Sequence, residues 1–277
     1  MRVITSSKIT NAVAELCKKA AYNLPADIIA ALKNTAKKEN GLTKEILKLT
    51  LKNADIAKKG IFPLCQDTGT AVLFIEIGEQ VQIKGSLEQS LQDGIKKGFK
   101  EYYLRKSIVL DPLFNRKNTQ TNTPAIINYK IVKGNKLKIN LMLKGGGAEN
   151  KSQIKMFNPT ASKEEIIDFI VSVVKNAGAS ACPPFIIGIG LGGNFENCAL
   201  LAKKALLRNT QNKNKNYKEL EQEILNEINE TNIGPQGFGG KTTALKVFIE
   251  YAPCHIASLP CAVNICCHSS RHAGVIL

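Results

Sequence analysis

The chain has 277 residues, of which 44% are hydrophobic and 22% are charged, a composition typical of a globular protein with a buried core. Its net charge of +15 would suit a nucleic-acid-binding protein, but aromatic residues make up only 6%, tryptophan is absent and the lysines are spread along the chain. We therefore expect no nucleic-acid partner. The sequence contains no run of about 18 apolar residues and no N-terminal signal segment, so we expect no membrane span, no secretion and a cytoplasmic protein.

The first 60 or so residues are predicted to be helical. Apolar residues recur at helical spacing in two runs, at Ile9, Val13, Leu16 and Ala20 and then at Ile28, Ile29 and Leu32. A third helix is predicted to start after Thr43 as its N-cap, with Ile46 and Leu49 on one side.

Strand patterns begin at Ala71, where AVLFIEI is rich in residues that favour β-structure. Apolar residues then alternate with polar ones at Leu137, Ile139, Leu141 and Leu143, as in a half-buried strand. Gly134 and Asn135 lie between IINYKIV and KLKINLML and predict a two-residue turn that joins these segments as a β-hairpin.

The second half of the chain alternates helix and strand signals. Ser162 and Glu165 form a capping-box pattern ahead of IIDFIVSVV, and Gly178 is placed to end that helix. The segments that follow are predicted as strand FIIGI, helix NCALLAKKALL, polar loop NTQNKNKN, helix ELEQEILNEI and a last clear strand TALKVFIEY. No repeat or linker interrupts residues 1–277, so we expect a single α+β domain with N-terminal helices, a largely antiparallel sheet and flanking helices.

Eight cysteines in a chain expected to be cytoplasmic predict reduced thiols rather than disulfides. Three of them lie in loop-like segments with acids, amides or glycines nearby: Cys65 in PLCQDTGT, Cys182 in ASACPPFIIGIGLGG and Cys267 in CCHSSRHA. Thiolates in such settings favour a metal or iron–sulfur site over packing. Cys17 and Cys198 lie in predicted helices and are expected in the core.

Two interpretations of Cys65–Thr70 stay open. The segment places a thiol, an amide, a carboxylate and two hydroxyls within six residues, which would provide a ligand, a hydrogen-bond donor and an acid together. Alternatively it is a polar turn that leads into a strand, with Asp67 capping backbone N–H groups.

Two glycine-rich segments are candidates for binding an anion through their backbone N–H groups. In LKGGGAENK, successive backbone N–H groups could bind an anion, with Lys144, Asn150 and Lys151 adding charge and hydrogen bonds. The segment GPQGFGGKTT fails the P-loop pattern because Pro235 stands where glycine is required and because a strand follows it. A structural turn is the expected role of this second segment.

A structural zinc site is the alternative near the C-terminus, with Cys261, Cys266, His268 and His272 as conceivable ligands. The chain has no C-x-x-C pair, so the spacing typical of zinc ribbons is absent. Sequence spacing alone does not show which cysteines converge.

Six segments in order resemble the α-subunit of two-subunit class I fumarate hydratases, and L-tartrate dehydratase α-subunits look similar. They are PLCQDTGTA, LRKSIVLDPLFNRKNTQTNTPA, KGGGAENKSQIKMFNP, ACPPFIIGIGLGGNFENCALLAKKALL, IGPQGFGGKTTALKV and HIASLPCAVNICCHSSRHA. The resemblance runs from about residue 10 to the end.

The resemblance implies a [4Fe–4S] cluster held by Cys65, Cys182 and Cys267, with one iron that lacks a protein ligand and acts as a Lewis acid. Cys266 is the neighbouring thiol that does not match the family ligand.

The same resemblance implies the substrate site. Gln66 and Asp67 would contact the substrate, with Asp67 also the proton donor to the departing hydroxide, and Arg105 would bind a substrate carboxylate. The loop with Gly147, Asn150 and Lys151 would line the pocket, and His255 would support the acid.

The resemblance finally implies an incomplete enzyme. A separate β-subunit would supply the base and further contacts to a dicarboxylate substrate, in a heterotetramer of two α- and two β-subunits. The expected reaction is the reversible hydration of fumarate to (S)-malate, a step of the tricarboxylic acid cycle. The alternatives are an L-tartrate dehydratase α-subunit, which would give oxaloacetate, and a non-catalytic iron–sulfur binding subunit.

Overall fold

The computed structural model describes residues 2–212 and 215–277. In chain order the elements are β1 (Arg2–Thr5), α1 (Ser6–Tyr22), α2 (Ala26–Lys38), α3 (Gly41–Lys58), β2 (Thr70–Gly78), β3 (Val81–Lys84), α4 (Leu87–Glu101), β4 (Ile126–Val132), β5 (Leu137–Lys144), α5 (Gly146–Glu149), β6 (Gln153–Phe157), α6 (Lys163–Ala177), β7 (Phe185–Gly192), α7 (Phe195–Ala205), α8 (Lys218–Asn229), β8 (Ala244–Ala252), β9 (Leu259–Cys266) and β10 (His272–Ile276). Residues 213 and 214 of the predicted polar loop lie outside the described residues.

The chain divides into two compact units. The first contains the chain up to Pro25 together with Ala54–Gly146 and Arg271–Leu277, and the second contains Ala26–Asn53 and Gly147–Ser270. The α+β class is confirmed. The single domain over residues 1–277 stays a prediction.

The first unit is built on a four-stranded sheet in the order β10-β5-β2-β4, with β1 and β3 as a separate parallel pair. Helices α1 and α4 pack against one face of that sheet, where Leu73 and Ile75 of β2 and the predicted alternating residues of β5 are buried. Two glycines of α4 let the helices approach closely. A Cβ at Gly94 would lie only 2.5 Å from the Cβ of Val13, and one at Gly98 would lie only 2.7 Å from the Cβ of Cys17. Only glycine permits this separation.

The predicted hairpin between β4 and β5 is wrong. Strand β2 lies between them, parallel to β4 and antiparallel to β5. The turn signal itself is real, because Gly134 has a φ of 113°. However, the turn bonds to the end of β2 and does not close a hairpin between β4 and β5. The backbone of Gly78 lies against Gly134, and the N–H of Gln80 donates to the carbonyl of Gly134 at 3.0 Å.

The second unit is built on a sheet in the order β6-β9-β7-β8, in which β7 and β8 are parallel and the other pairs antiparallel. Helices α6 and α8 contribute to the core on one face, with Val263 and Ile265 of β9. On α7, Cys198 packs with Ala262 of β9 in a separate cluster. A Cβ at Gly190 of β7 would lie 2.0 Å from the carbonyl oxygen of Cys198, so this glycine lets α7 approach the strand.

Several local predictions are confirmed. Ser162 and Glu165 form the complete capping box of α6, and Gly178, with a φ of 51°, is its C-cap. Cys17 and Cys198 are fully buried. In α3 the prediction is wrong, because the helix begins at Gly41 and buries Leu47, whereas Leu49 is 63% exposed. The hydroxyl of Thr43 donates to a distant carbonyl instead of capping the helix.

The sheets are largely antiparallel, as predicted, although each four-stranded sheet contains one parallel pair. The sequence patterns above do not predict strands β1, β3, β6, β9 and β10. No helix in the described part of the chain is both long enough and apolar enough to cross a membrane.

Candidate active site

Asp67 lies in the loop before β2 and is fixed at both carboxylate oxygens. Its Oδ1 accepts the N–H of Gly69 at 3.0 Å, and its Oδ2 accepts the N–H of Gly146 at 2.8 Å. The predicted capping turn is therefore present. The neighbouring side chains are more accessible: Gln66 is exposed, Cys65 is partly buried, and the Cys65 thiol contacts the Gln66 amide oxygen at 3.3 Å.

Gly145 and Gly146 bring backbone close to this carboxylate. A Cβ at Gly145 would lie 3.3 Å from Asp67 Oδ2 and 3.1 Å from Nη2 of Arg271, so glycine leaves room for both groups. Arg271 is 3% exposed, and its Nη1 donates to the backbone carbonyl of Asp67. One N–H of the predicted anion-binding segment is thus bound to the protein's own carboxylate, and Lys144 is buried beside it at the end of β5.

Arg105 is exposed, and its backbone is tied to the Asp67 loop. The hydroxyl of the buried Thr68 donates to the carbonyl of Arg105 at 2.7 Å. The side chain of Asn122, 0% exposed, adds a second connection: its Nδ2 donates to Gly69 O at 3.1 Å, and its Oδ1 accepts the N–H of Ser107 at 2.7 Å. The acid and the predicted carboxylate-binding arginine therefore lie on two loops joined by buried hydrogen bonds.

Cys182 and Cys267 lie on neighbouring segments of the second unit. Cys182 follows a short 3₁₀ turn, Gly178–Ala181, and has a φ of 57°, which is uncommon for a residue other than glycine. Cys267 directly follows β9. The backbone N–H of His268 donates to the carbonyl of Cys182 at 3.2 Å, which holds the two cysteine segments together.

The remaining predicted site residues also lie in loops of the second unit. Gly147 lies within the short helix α5 and the exposed Asn150 directly follows it, and the N–H of Lys151 donates to Ala148 O at 3.2 Å to close the turn. His255 is exposed, and its Nδ1 accepts the N–H of Ala257 at 3.1 Å.

The eight cysteines fall into two groups, and none forms a disulfide in the described chain. Cys65 and Cys267 are partly buried and Cys182 is exposed, so these three thiols are accessible, as is Cys254. The other four are buried. Burial raises the pKa of the Cys198 thiol to about 11 and also raises the pKa values of Cys17 and Cys261, which disfavours the thiolate that a metal ligand needs.

The zinc alternative does not fit strand β9. Cys261 and Cys266 are five positions apart on one strand, so their side chains point to opposite faces of the sheet. Within each unit, residues 2–212 and 215–277 contain no group of three or more His, Cys, Asp and Glu side chains arranged to hold a metal ion.

Sequence reasoning did not identify Thr68, Asn122 or Arg271 as part of this arrangement. All three are buried polar residues, and buried polar side chains require partners. The available signal was indirect. The segment NTQTNTPA is unusually polar, and the arginine of CCHSSRHA lies within a few residues of a predicted ligand.

Comparison with known proteins gives a consistent result. A family model described as fumarate hydratase (Fumerase), a family of hydro-lyases, matches residues 10–276. A protein of Methanocaldococcus jannaschii, provisionally named L(+)-tartrate dehydratase subunit alpha, is 40% identical over 276 residues, which are 96% of each chain. The L(+)-tartrate dehydratase subunit alpha of Escherichia coli strain K12 is 27% identical over 278 residues, covering 98% of this chain and 91% of the relative. The chain belongs to the fumarate hydratase family.

Proposed function

We propose that the chain is the α-subunit of a [4Fe–4S]-dependent hydro-lyase that reversibly hydrates fumarate to (S)-malate. The observation that carries this proposal is the loop network around Asp67. A carboxylate oriented by two backbone N–H groups lies two residues from an accessible thiol, on a loop hydrogen-bonded to the backbone of Arg105. The family match supports the reaction class.

The ligands of the cluster would be Cys65, Cys182 and Cys267. Their chemistry fits, because all three are accessible thiols outside helices and strands, whereas Cys266 is the buried last residue of β9. A bound cluster with one iron lacking a protein ligand would supply a Lewis acid for the substrate hydroxyl and a carboxylate oxygen.

The side chains near Cys65 have distinct roles in this proposal. Gln66 donates a hydrogen bond to the substrate, and Asp67 delivers the proton that leaves with hydroxide as water in the dehydration direction. The guanidinium of Arg105 binds a substrate carboxylate with two parallel hydrogen bonds, a geometry that lysine does not reproduce.

The loop with Gly147, Asn150 and Lys151 would line the pocket, with the Lys151 ammonium offsetting substrate charge. His255 would support the acid. The accessibility of Asn150 and His255 agrees with contact to a small ligand.

A β-type partner would supply the base that removes the proton from carbon. The names of the relatives as alpha subunits support such a partner. A well-defined apolar tip also supports it: Leu110, Leu113 and Phe114 are 68%, 70% and 88% exposed. Asp111 orders this tip, since its Oδ1 accepts the N–H groups of Leu113 and Phe114, both at 2.7 Å, and these bonds lower the pKa of Asp111.

An ordered apolar tip is typical of a protein interface. It begins five residues after Arg105, so a partner docked on it would lie close to the predicted carboxylate-binding residue. We propose a heterotetramer of two such chains and two partners. We also propose a cytoplasmic enzyme of the tricarboxylic acid cycle, which the eight thiols without disulfides support.

L-tartrate is the second candidate substrate, and oxaloacetate would then be the product. The observation that favours it is the naming of the relatives. Malate and tartrate, the hydroxy acids of the two reactions, each carry two carboxylates and a hydroxyl on a carbon next to a carboxylate, so the residues described above would serve either reaction.

The test is an anaerobic hydro-lyase assay of the iron- and sulfide-reconstituted chain, with and without the partner subunit. Ultraviolet absorbance of the fumarate double bond reports one reaction, and a coupled assay for oxaloacetate reports the other. We expect turnover of fumarate only with the partner present. Turnover of tartrate but not of fumarate would make L-tartrate the substrate in place of fumarate. A cluster-loaded complex inactive on both acids would contradict the proposal.

A further inference from the structure

The segment Gly234–Gly240, predicted only to be a structural turn, contains a residue with unusual geometry. Gln236 has a φ of 54°, a conformation that few residues other than glycine adopt. Its side chain is partly buried and faces the Cys182–Pro183 segment. Backbone strain of this kind persists only where surrounding contacts stabilise it.

Gln236 makes three hydrogen-bonding contacts there. Its backbone N–H and its side-chain Nε2 both donate to the carbonyl of Pro183, each at 2.8 Å. The same Nε2 lies 3.0 Å from Nδ1 of His268. The preceding carbonyl, of Cys182, accepts the backbone N–H of His268 at 3.2 Å.

The His268 ring completes this set of contacts. The Gln236 amide presents its NH₂ group to Pro183, since its oxygen would face the carbonyl of Pro183 and repel it. Nδ1 of His268 lies 3.0 Å from that Nε2 and 3.2 Å from Cys182 O, so the ring lies between the Gln236 amide and the Cys182 carbonyl.

We propose that Gln236 and His268 are positioning residues that fix the Cys182–Pro183 segment beside Cys267, and so set the spacing of two of the three cluster ligands. This inference rests on the proposed function. We call the set formed by Gln236, His268 and the carbonyls of Cys182 and Pro183 the Cys182 clamp. Groups of this kind, one step beyond metal ligands, typically change metal affinity by about 10- to 100-fold when removed.

The first measurement tests the clamp in the apoprotein. The chain has three histidines, and the ring ¹⁵N signals of His268 can be assigned by their loss in His268→Asn. We expect these ring signals to change in Gln236→Glu, which places a carboxylate against a carbonyl and disturbs the contact with the ring. Ring signals identical in the wild-type full-length chain and in Gln236→Glu would contradict the clamp.

The second measurement tests its effect on the cluster. After anaerobic reconstitution, iron content, electron paramagnetic resonance of the reduced protein and the rate of iron loss to a chelator are compared among variants. We expect iron loss about tenfold faster in Gln236→Glu and in the near-isosteric Gln236→Met. His268→Asn should stay within about twofold of the wild type, because its side-chain amide can form a hydrogen bond from the position of Nδ1, whereas His268→Ala should resemble the Gln236 variants.

Gln222→Leu is the matched control, because Gln222 bonds only along α8 at the surface in the described contacts, to Asn226. Apoprotein melting temperatures separate a folding defect from a loss of positioning. Wild-type chain that takes up no cluster would contradict the proposed function itself. Wild-type chain that loads normally, with Gln236 variants identical to it in spectrum and in rate of iron loss, would contradict the clamp alone.

Discussion

Asn122 offers a sharp test of how the candidate site is held together. Its side chain is fully buried and joins Gly69 O, at 3.1 Å, to the N–H of Ser107, at 2.7 Å. Its own φ of 60° lies in the left-handed region, which asparagine tolerates better than other residues with a side chain. Asn122→Ala removes both bonds and places a less tolerant residue in that conformation.

The magnitude follows from these contacts. Leaving the buried carbonyl of Gly69 without a partner costs about 1–3 kcal/mol, and losing the bond to the N–H of the exposed Ser107 costs about 0.5–1.5 kcal/mol. Alanine in the left-handed region adds about 1–2 kcal/mol. We therefore expect Asn122→Ala to lower the free energy of unfolding by about 2.5–6.5 kcal/mol, a large part of the roughly 5–15 kcal/mol typical of a folded protein. Asn122→Gly should be less destabilising, because glycine accepts the backbone conformation.

Urea unfolding of the apoprotein, followed by circular dichroism, measures the change. Asn135→Ala is the control, because Asn135 is exposed in the turn before β5, and it should change the free energy by less than about 0.5 kcal/mol. A loss below about 1 kcal/mol for Asn122→Ala would refute the view that this side chain joins the Asp67 and Arg105 loops. In the assembled enzyme we also expect Asn122→Gly to raise KM more than it lowers kcat, because the backbone of Arg105 loses its second connection.

Three further predictions address packing, ionisation and assembly. Gly98→Ala should destabilise the chain by about 1–3 kcal/mol in the same unfolding assay, because its Cβ would lie 2.7 Å from that of Cys17; no change would mean that α1 and α4 separate at little cost. Burial raises the pKa of Cys198 from 9.0 to about 11, so the contribution of this thiol to stability is full below pH 9 and is lost as the pH rises to 11. Cys198→Ala should reduce the loss of stability between pH 9 and pH 11, whereas Cys254→Ala, an exposed control, should not. Leu113→Asp should reduce co-purification with the partner subunit without lowering the melting temperature of the isolated chain, and unchanged co-purification would remove the tip from the proposed interface.

Local sequence signals predicted the elements whose partners lie nearby in the chain. The capping box of α6 and the buried stripe of α1 depend on spacings of three and four residues, which the sequence displays directly. The alternation in β5 works for the same reason, because only one face of the strand points to α1 and α4. These features need no knowledge of the rest of the fold.

The hairpin error shows where local signals stop. Gly134 and Asn135 do form a turn, but residues 133–136 cross over β2 to connect strands that are not neighbours. That crossing spans two strand spacings, about 10 Å, which four residues cover easily. A turn motif specifies only that the chain reverses direction. Whether the two strands that it joins pair with each other depends on whether a third strand, here β2, pairs with both of them instead.

Strand β9 was missed for a different reason. It is central in its sheet and buried on both faces, so it shows no alternation of polar and apolar residues. Its Cys261 and Cys266 are conceivable metal ligands by residue type alone, although they belong to an apolar run that forms the strand. In the structure Cys261 faces the core, and the accessible thiol follows only where the strand ends, at Cys267.

The distribution of backbone strain ties these observations together. Among the described residues, seven other than glycine have positive φ, and Asn122, Cys182, Gln236 and Ser270 are four of them. Each of these four lies in a loop that holds or flanks a predicted ligand or substrate residue. A left-handed conformation costs such residues about 1 kcal/mol or more of free energy, so it persists only where neighbouring contacts offset that cost. Side chains of Asn122 and Gln236 make those contacts themselves, with carbonyls and N–H groups of the adjacent loops. Within each unit, these hydrogen bonds therefore hold the strained backbone of loops that carry or flank the predicted ligand and substrate residues.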